Sequence, residues 1–149
     1  GKPLTLEGKA NQLAEMLRGH LPQAMQGLAV VPIFAGFDPA HEAGRLFQFD
    51  VTGGRYEEQD FATSGSGSLH AGTVVKLGYS RDLSESEALF LAVKALWHAA
   101  DEDSATGGPD PIRGIYPVLA VIDGEGFRQL SDEESGAVFA DFRHELTEG

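Results

Sequence analysis

An α+β fold, with sheets covered by helices rather than alternating with them, is the class the sequence predicts. Three observations carry it. Amphipathic helical periodicity stands at both ends of the chain, two strand-turn-strand blocks stand inside it, and further helices gather between and after those blocks instead of following each strand. At 149 residues the chain accommodates one core of ordinary size, so residues 1–149 are expected to form a single domain.

The elements follow in order. Leu6, Ala10, Leu13 and Leu17 recur at helical spacing behind Thr5, a good N-cap, and the pattern is expected to die near Gly19 and Pro22. From Leu28 to Phe37, "LAVVPIFAGF" is continuously apolar and predicts a buried strand, with Pro32 hinting at an edge or a bulge. Residues 45–51, "RLFQFDV", put Phe47, Phe49 and Val51 on one face, and "TGG" at 52–54 turns the chain into a return strand from Tyr56 to Thr63. Ser64 to Ser68, "SGSGS", then opens a helix that runs to about Leu77 and stops at Gly78.

Ser84 and Glu87 have capping-box spacing ahead of a helix whose apolar face is Leu89, Ala92, Val93, Leu96 and Ala100. It ends in "DEDSATGGPD" at 101–110. Residues 114–123, "GIYPVLAVID", predict a second buried strand, "DGEG" its turn, and Phe127 to Leu130 its short partner. Ser131 and Glu134 cap a last helix carrying Val138, Phe139, Phe142 and Leu146.

Composition narrows the function. Eleven basic against 23 acidic residues give a net charge of -12, which repels phosphate backbones and anionic lipid surfaces, so neither nucleic acid nor membrane is an expected partner. Without cysteine there are no disulfides, no thiolate catalysis and no thiolate zinc sites, a composition that suits a cytoplasmic protein. No run approaches a membrane span, and the first residues lack the basic and apolar regions of a signal peptide. The chain starts at Gly1 rather than methionine, in the approach to a helix, and is expected to be a processed product or an excised piece.

Several chemistries are weighed at "DEDSATGGPD" and "SGSGS". Counted from Asp101, an EF-hand loop would have Thr106 sixth and Ile112 twelfth, where a glycine and a bidentate acid belong, so that pattern fails. A solvated acidic helix end accounts for the same acids. "SGSGS" fits an anion cradle at a helix amino end and equally a tight glycine turn; no GKS or GKT follows it, and Ser66 lacks the G-x-S-x-G context of a hydrolase elbow. The histidines at 20, 41, 70, 98 and 144 show no metal-ligand spacing, and Trp97 belongs to a core or interface face. No metal and no cofactor is expected.

Taken together, "GSGS" at 65–68, Asp103 lying 37 residues after Ser66, "DSATGG" at 103–108 and "VIDGEG" at 121–126 resemble the proteasome β subunits of the bacterial, actinobacterial type. "LEGKANQLAEML" and "AMQGLAVVPIFAGFD" add to the resemblance, which covers essentially the whole chain. It implies the N-terminal-nucleophile hydrolase fold, an αββα sandwich of two antiparallel sheets between helical layers, here incomplete because the first strands and first helix are missing. It also implies a threonine-type endopeptidase whose amino-terminal threonine attacks the peptide bond with its own α-amino group as base. By that resemblance Asp103 and Thr106 orient the amino-terminal residue, Ser66 completes the polar network, and glycines such as Gly107 let the backbone approach closely.

The same resemblance implies partners: other α and β subunits in stacked heptameric rings, a regulatory ATPase ring, and unfolded protein substrates tagged with a small protein modifier. The nucleophile itself is absent, since Thr5 is not terminal and Thr106 is internal, so this chain alone is expected to be inactive, and either to self-associate through the apolar faces and sheet edges left bare or to be less stable than a full domain. Two other readings stay open at this point. One is a non-catalytic assembly module of the same fold, like the proteasome α subunits, against which the "DSATGG" run argues. The other is a free-standing binding protein.

Overall fold

A computed structural model describes residues 3–27 and 31–149. Its elements are α1 (Leu6–Gly19), α2 (Leu21–Met25), β1 (Ile33–Asp38), β2 (Ala43–Phe49), β3 (Arg55–Glu58), α3 (Ser68–Gly78), α4 (Glu85–Glu102), β4 (Ala120–Asp123), β5 (Gly126–Gln129) and α5 (Asp132–Glu148). Helices and two separate sheets make the class α+β, as the sequence predicts. Backbone contacts divide the chain into two compact units, residues 1–64 with 122–126, and residues 65–121 with 127–149.

In the first unit, β1, β2 and β3 form an antiparallel meander in that order, with Phe34 opposite Phe47 and Gln48 opposite Tyr56. The alternation read from "RLFQF" is realised: Phe47 and Phe49 are buried against Ala10 and Ala14 of α1, with Leu6, Leu13 and Leu17 packed around them. Thr5 caps α1 by accepting the Gly8 N–H at 3.0 Å. Phe47 is fully buried, and the guanidinium groups of Arg45 and Arg55 lie 5.2 and 5.3 Å from its ring centroid.

Three expectations in this unit are corrected. α1 ends at Gly19 as expected, but Pro22 does not end the helical region: it occupies the first turn of the short α2, where its missing N–H costs nothing. The strand predicted from 28 to 37 begins only at Ile33, after Pro32, and Ile33 is exposed rather than buried; residues 28–30 lie outside the described residues. The return strand stops at Glu58 instead of reaching Thr63. Beyond it the Gln48 side chain donates to the Thr63 carbonyl at 2.8 Å, so a side chain replaces the ladder.

In the second unit, α4 is buried on two sides. Val93 joins Leu119, Leu130, Phe139 and Phe142 in one cluster, while Ala95 and Ala99 meet Ala71 of α3 in another. Small residues at both faces of that second contact let the two helices approach closely. Trp97 packs edge-on to Phe142 at 5.6 Å, a core position as expected. Leu96, by contrast, is 39% exposed and Leu146 of α5 is 44% exposed, so the apolar faces read for these helices are rotated toward Val93, Ala95 and Ala99, and toward Phe139 and Phe142.

The buried strand expected over 114–123 is also corrected: only β4, from Ala120, is strand, and it is largely solvent-facing. Asp110 accepts the N–H groups of Ile112 and Arg113, and Asp110 and Ile115 close a two-way backbone bridge, which makes this stretch a turn. Pro117 then removes a ladder donor. The expected hairpin with β5 and both capping boxes are present.

Candidate functional site

The site begins with how α4 ends. Asp103 is its C-cap, in extended backbone, with its N–H bonded to the Ala99 carbonyl at 2.8 Å. The chain then folds back on the aspartate: Thr106 N–H donates to the Asp103 carbonyl at 3.0 Å, and Ala105 N–H to Oδ1 at 3.3 Å. That turn delivers the Thr106 hydroxyl to Asp103 Oδ2 at 2.5 Å. A short side chain that captures nearby N–H groups is what aspartate supplies best at such a corner.

The second approach comes from the amino end of α3. Ser66 lies one residue before the N-cap Gly67, and its hydroxyl also donates to Asp103 Oδ2 at 2.5 Å, across 37 residues of sequence. Three of the residues singled out in the sequence, Ser66, Asp103 and Thr106, thus meet on one carboxylate oxygen. Gly107, the fourth, lies beside them in sequence but has open space around the position of an added Cβ.

Both donated hydrogen bonds favour the ionised carboxylate. The Asp103 pKa is lowered, first by Ser66, then by Thr106, with desolvation opposing; the Ala105 N–H and the charge of His70 add smaller lowering contributions. Each hydroxyl spends its single proton on Asp103, so its oxygen is left with lone pairs for any further partner. The cluster therefore presents a negative charge and two acceptor oxygens, which suit an N–H donor or a cation.

Two participants escaped the sequence. Gly67 is buried, and a Cβ there would come within 2.7 Å of Thr106 Oγ1 and 3.0 Å of the Ala99 Cβ. His70, one turn further along α3, contributes only through its charge. Gly67 falls within the "GSGS" run, but nothing in the local sequence gives either residue its role, because each matters only through the contact of α3 with α4. Among the described residues, no group of three or more His, Asp or Glu side chains is arranged to hold a metal ion, and none of the helices is long and apolar enough to cross a membrane.

A family model described as "Proteasome subunit" matches residues 1–112. The chain is 56% identical over 138 residues to the proteasome subunit beta of Streptomyces griseus, covering 93% of this chain and 49% of that protein. It is 58% identical over 132 residues to that of Acidimicrobium ferrooxidans, with 89% and 48% covered, and 55% identical over 142 residues to that of Acidothermus cellulolyticus, with 93% and 49% covered. The chain thus spans about half the length of the curated relatives it matches. With three quarters of its residues inside the family model, the chain belongs to the proteasome subunit family.

Proposed function

We propose that this chain is part of a β-type proteasome subunit that cleaves peptide bonds with an amino-terminal threonine, and that Asp103, Ser66 and Thr106 hold the α-amino group of that threonine. The observation that carries the reading is the convergence of the Ser66 and Thr106 hydroxyls on Asp103 Oδ2. The high identity to proteins named proteasome subunit beta supports the β type. On this reading the threonine belongs to the part of the whole protein outside these 149 residues. Assembly with other α and β subunits in stacked rings, delivery of tagged substrates by an ATPase ring, and a cytoplasmic location belong to the same proposal.

The chemistry follows from the charges. The threonine hydroxyl adds to the scissile carbonyl while its proton passes to the α-amino group, which becomes ammonium. Asp103 stabilises that ammonium as an ionised neighbour, and the serine and threonine oxygens accept its N–H groups, which fixes the direction in which the amine's lone pair points before transfer. The proton then leaves with the departing amine, and the resulting ester is hydrolysed by water.

The test uses the whole protein and a fluorogenic peptide. Asp103→Asn is expected to lower kcat by roughly 10²–10⁴-fold, the range for a positioned proton-transfer system. Thr106→Ser, which keeps the hydroxyl, should stay close to the parent, whereas Thr106→Val should fall. A protein that does not hydrolyse peptides, or hydrolysis indifferent to Asp103→Asn, would refute the assignment.

A further inference from the structure

We infer that Gly67 is a positioning residue: the missing side chain at this N-cap is what allows Ser66 and Thr106 to share Asp103 Oδ2. The inference rests on the proposed role of that carboxylate, and its evidence is steric. Of the atoms facing an added Cβ, the nearest is Thr106 Oγ1 at 2.7 Å, a separation that real Cβ atoms essentially never show, followed by the Ala99 Cβ at 3.0 Å and Asp103 Oδ2 at 3.5 Å. All three belong to the end of α4 or the turn after it.

Each of those neighbours resists displacement. Thr106 is β-branched, so its Oγ1 moves only by leaving its χ1 well, and that motion breaks the 2.5 Å bond to Asp103. Ala99 is buried in the contact of α3 with α4 and has no side-chain torsion to adjust. The remaining escape is to lift the amino end of α3 away from α4. Ser66, one residue earlier, would be carried off with it and lose its own bond to Asp103. Either route unloads one hydroxyl from the carboxylate. The glycine's role here is clearance alone, because its backbone, at φ -87°, is open to any residue.

The decisive measurement is the titration of the Asp103 side-chain carboxyl by NMR, in the full chain with isotope-labelled aspartate. Gly67→Ala should move that titration upward, toward the ordinary carboxylate value, because one of the two bonds that depress it is lost. Thr106→Ala removes the nearest obstacle along with one bond, so adding Gly67→Ala to it should produce a much smaller further rise. A folded Gly67→Ala chain whose Asp103 titrates unchanged would overturn the inference.

If Gly67→Ala alone fails to fold, the double variant decides: recovery by Thr106→Ala locates the conflict at the hydroxyl and upholds the spacer, while continued failure overturns it. Activity separates this from the hydrolase reading. If the whole, unsubstituted protein cleaves no peptide the hydrolase reading fails, while a shifted titration in Gly67→Ala still leaves the spacer intact. Lost cleavage with the titration unmoved does the reverse.

Discussion

Asp50 and Asp103 are both loaded with donors, and together they show why a depressed pKa by itself does not mark a site. Asp50 Oδ1 accepts the Thr52 N–H, the Thr52 hydroxyl and the Gly54 N–H, at 2.9, 2.5 and 2.9 Å, and Oδ2 accepts the Tyr56 hydroxyl at 2.7 Å. The Thr52 hydroxyl, then Tyr56, hold its pKa at about 2. All of these partners lie within six residues, at the turn between β2 and β3, where Gly53 sits at φ +86°. Asp50 is a turn clamp. Asp103 instead gathers Ser66 from 37 residues away and leaves Oδ1 with one long backbone contact, which is the geometry of a carboxylate with capacity to spare. The sign for Asp50 is fixed by a folded pKa below the ordinary 3.8. Its contribution to stability is complete above that value and is lost as pH falls through it toward about 2. Chemical denaturation midpoints of the parent and Asp50→Asn should therefore converge over that interval, other acids titrating alike in both. A constant gap down to the lowest pH would show that the clamp is not electrostatic.

At the level of elements, the helices were written locally and the strands were not. Ser84 accepts the Glu87 N–H at 3.2 Å while Glu87 accepts the Ser84 N–H at 2.7 Å, and Ser131 and Glu134 repeat the exchange at 3.1 and 3.0 Å. Both boxes were readable because every partner lies within three residues. Arg128 adds what spacing does not disclose: it donates to Glu85 at 2.8 Å and to Glu134 at 3.3 Å, tying β5 to the first turns of both α4 and α5. Ser131→Ala is expected to cost about 1 kcal/mol in a denaturation experiment, the usual value of an N-cap. Arg128→Ala should cost less, because exposed ion pairs contribute roughly 0–1 kcal/mol. The reverse order would mean that the bridge, not the cap, anchors α5. The strands over 56–63 and 114–123 reach further in the sequence reading than in the structure for one reason. An apolar run states that residues are buried somewhere, and only the partner strand decides whether the ladder continues. At Gln48 and Asp110 side-chain bonds take over where it stops. Ser66, Asp103 and Thr106 were legible through the order and spacing of their motifs. Gly67 was not, because its role is a clearance between two helices.

Across the whole chain the dominant fact is the charge of -12. Even if all 11 basic residues were paired, twelve acids would remain uncompensated, so like-charge repulsion opposes compaction at neutral pH. Salt acts on both sides of this balance. It screens the repulsion, and it also weakens ion pairs such as Arg45 with Glu57, whose two bonds of 2.8 and 2.9 Å raise the arginine pKa and lower that of the glutamate. The ranges differ. The bidentate pair is in contact and partly shielded, whereas the excess acids are spread over the surface and act at distances comparable to the Debye length, which shrinks from about 30 Å at about 0.01 M salt to about 8 Å at about 0.15 M. Screening should therefore remove more repulsion than attraction. The thermal midpoint at neutral pH is expected to rise over that salt range, and Arg45→Gln, which adds one more uncompensated acid, should show the steeper rise. A midpoint that falls with salt would mean that the ion pairs, and not the net charge, govern the electrostatics of this chain.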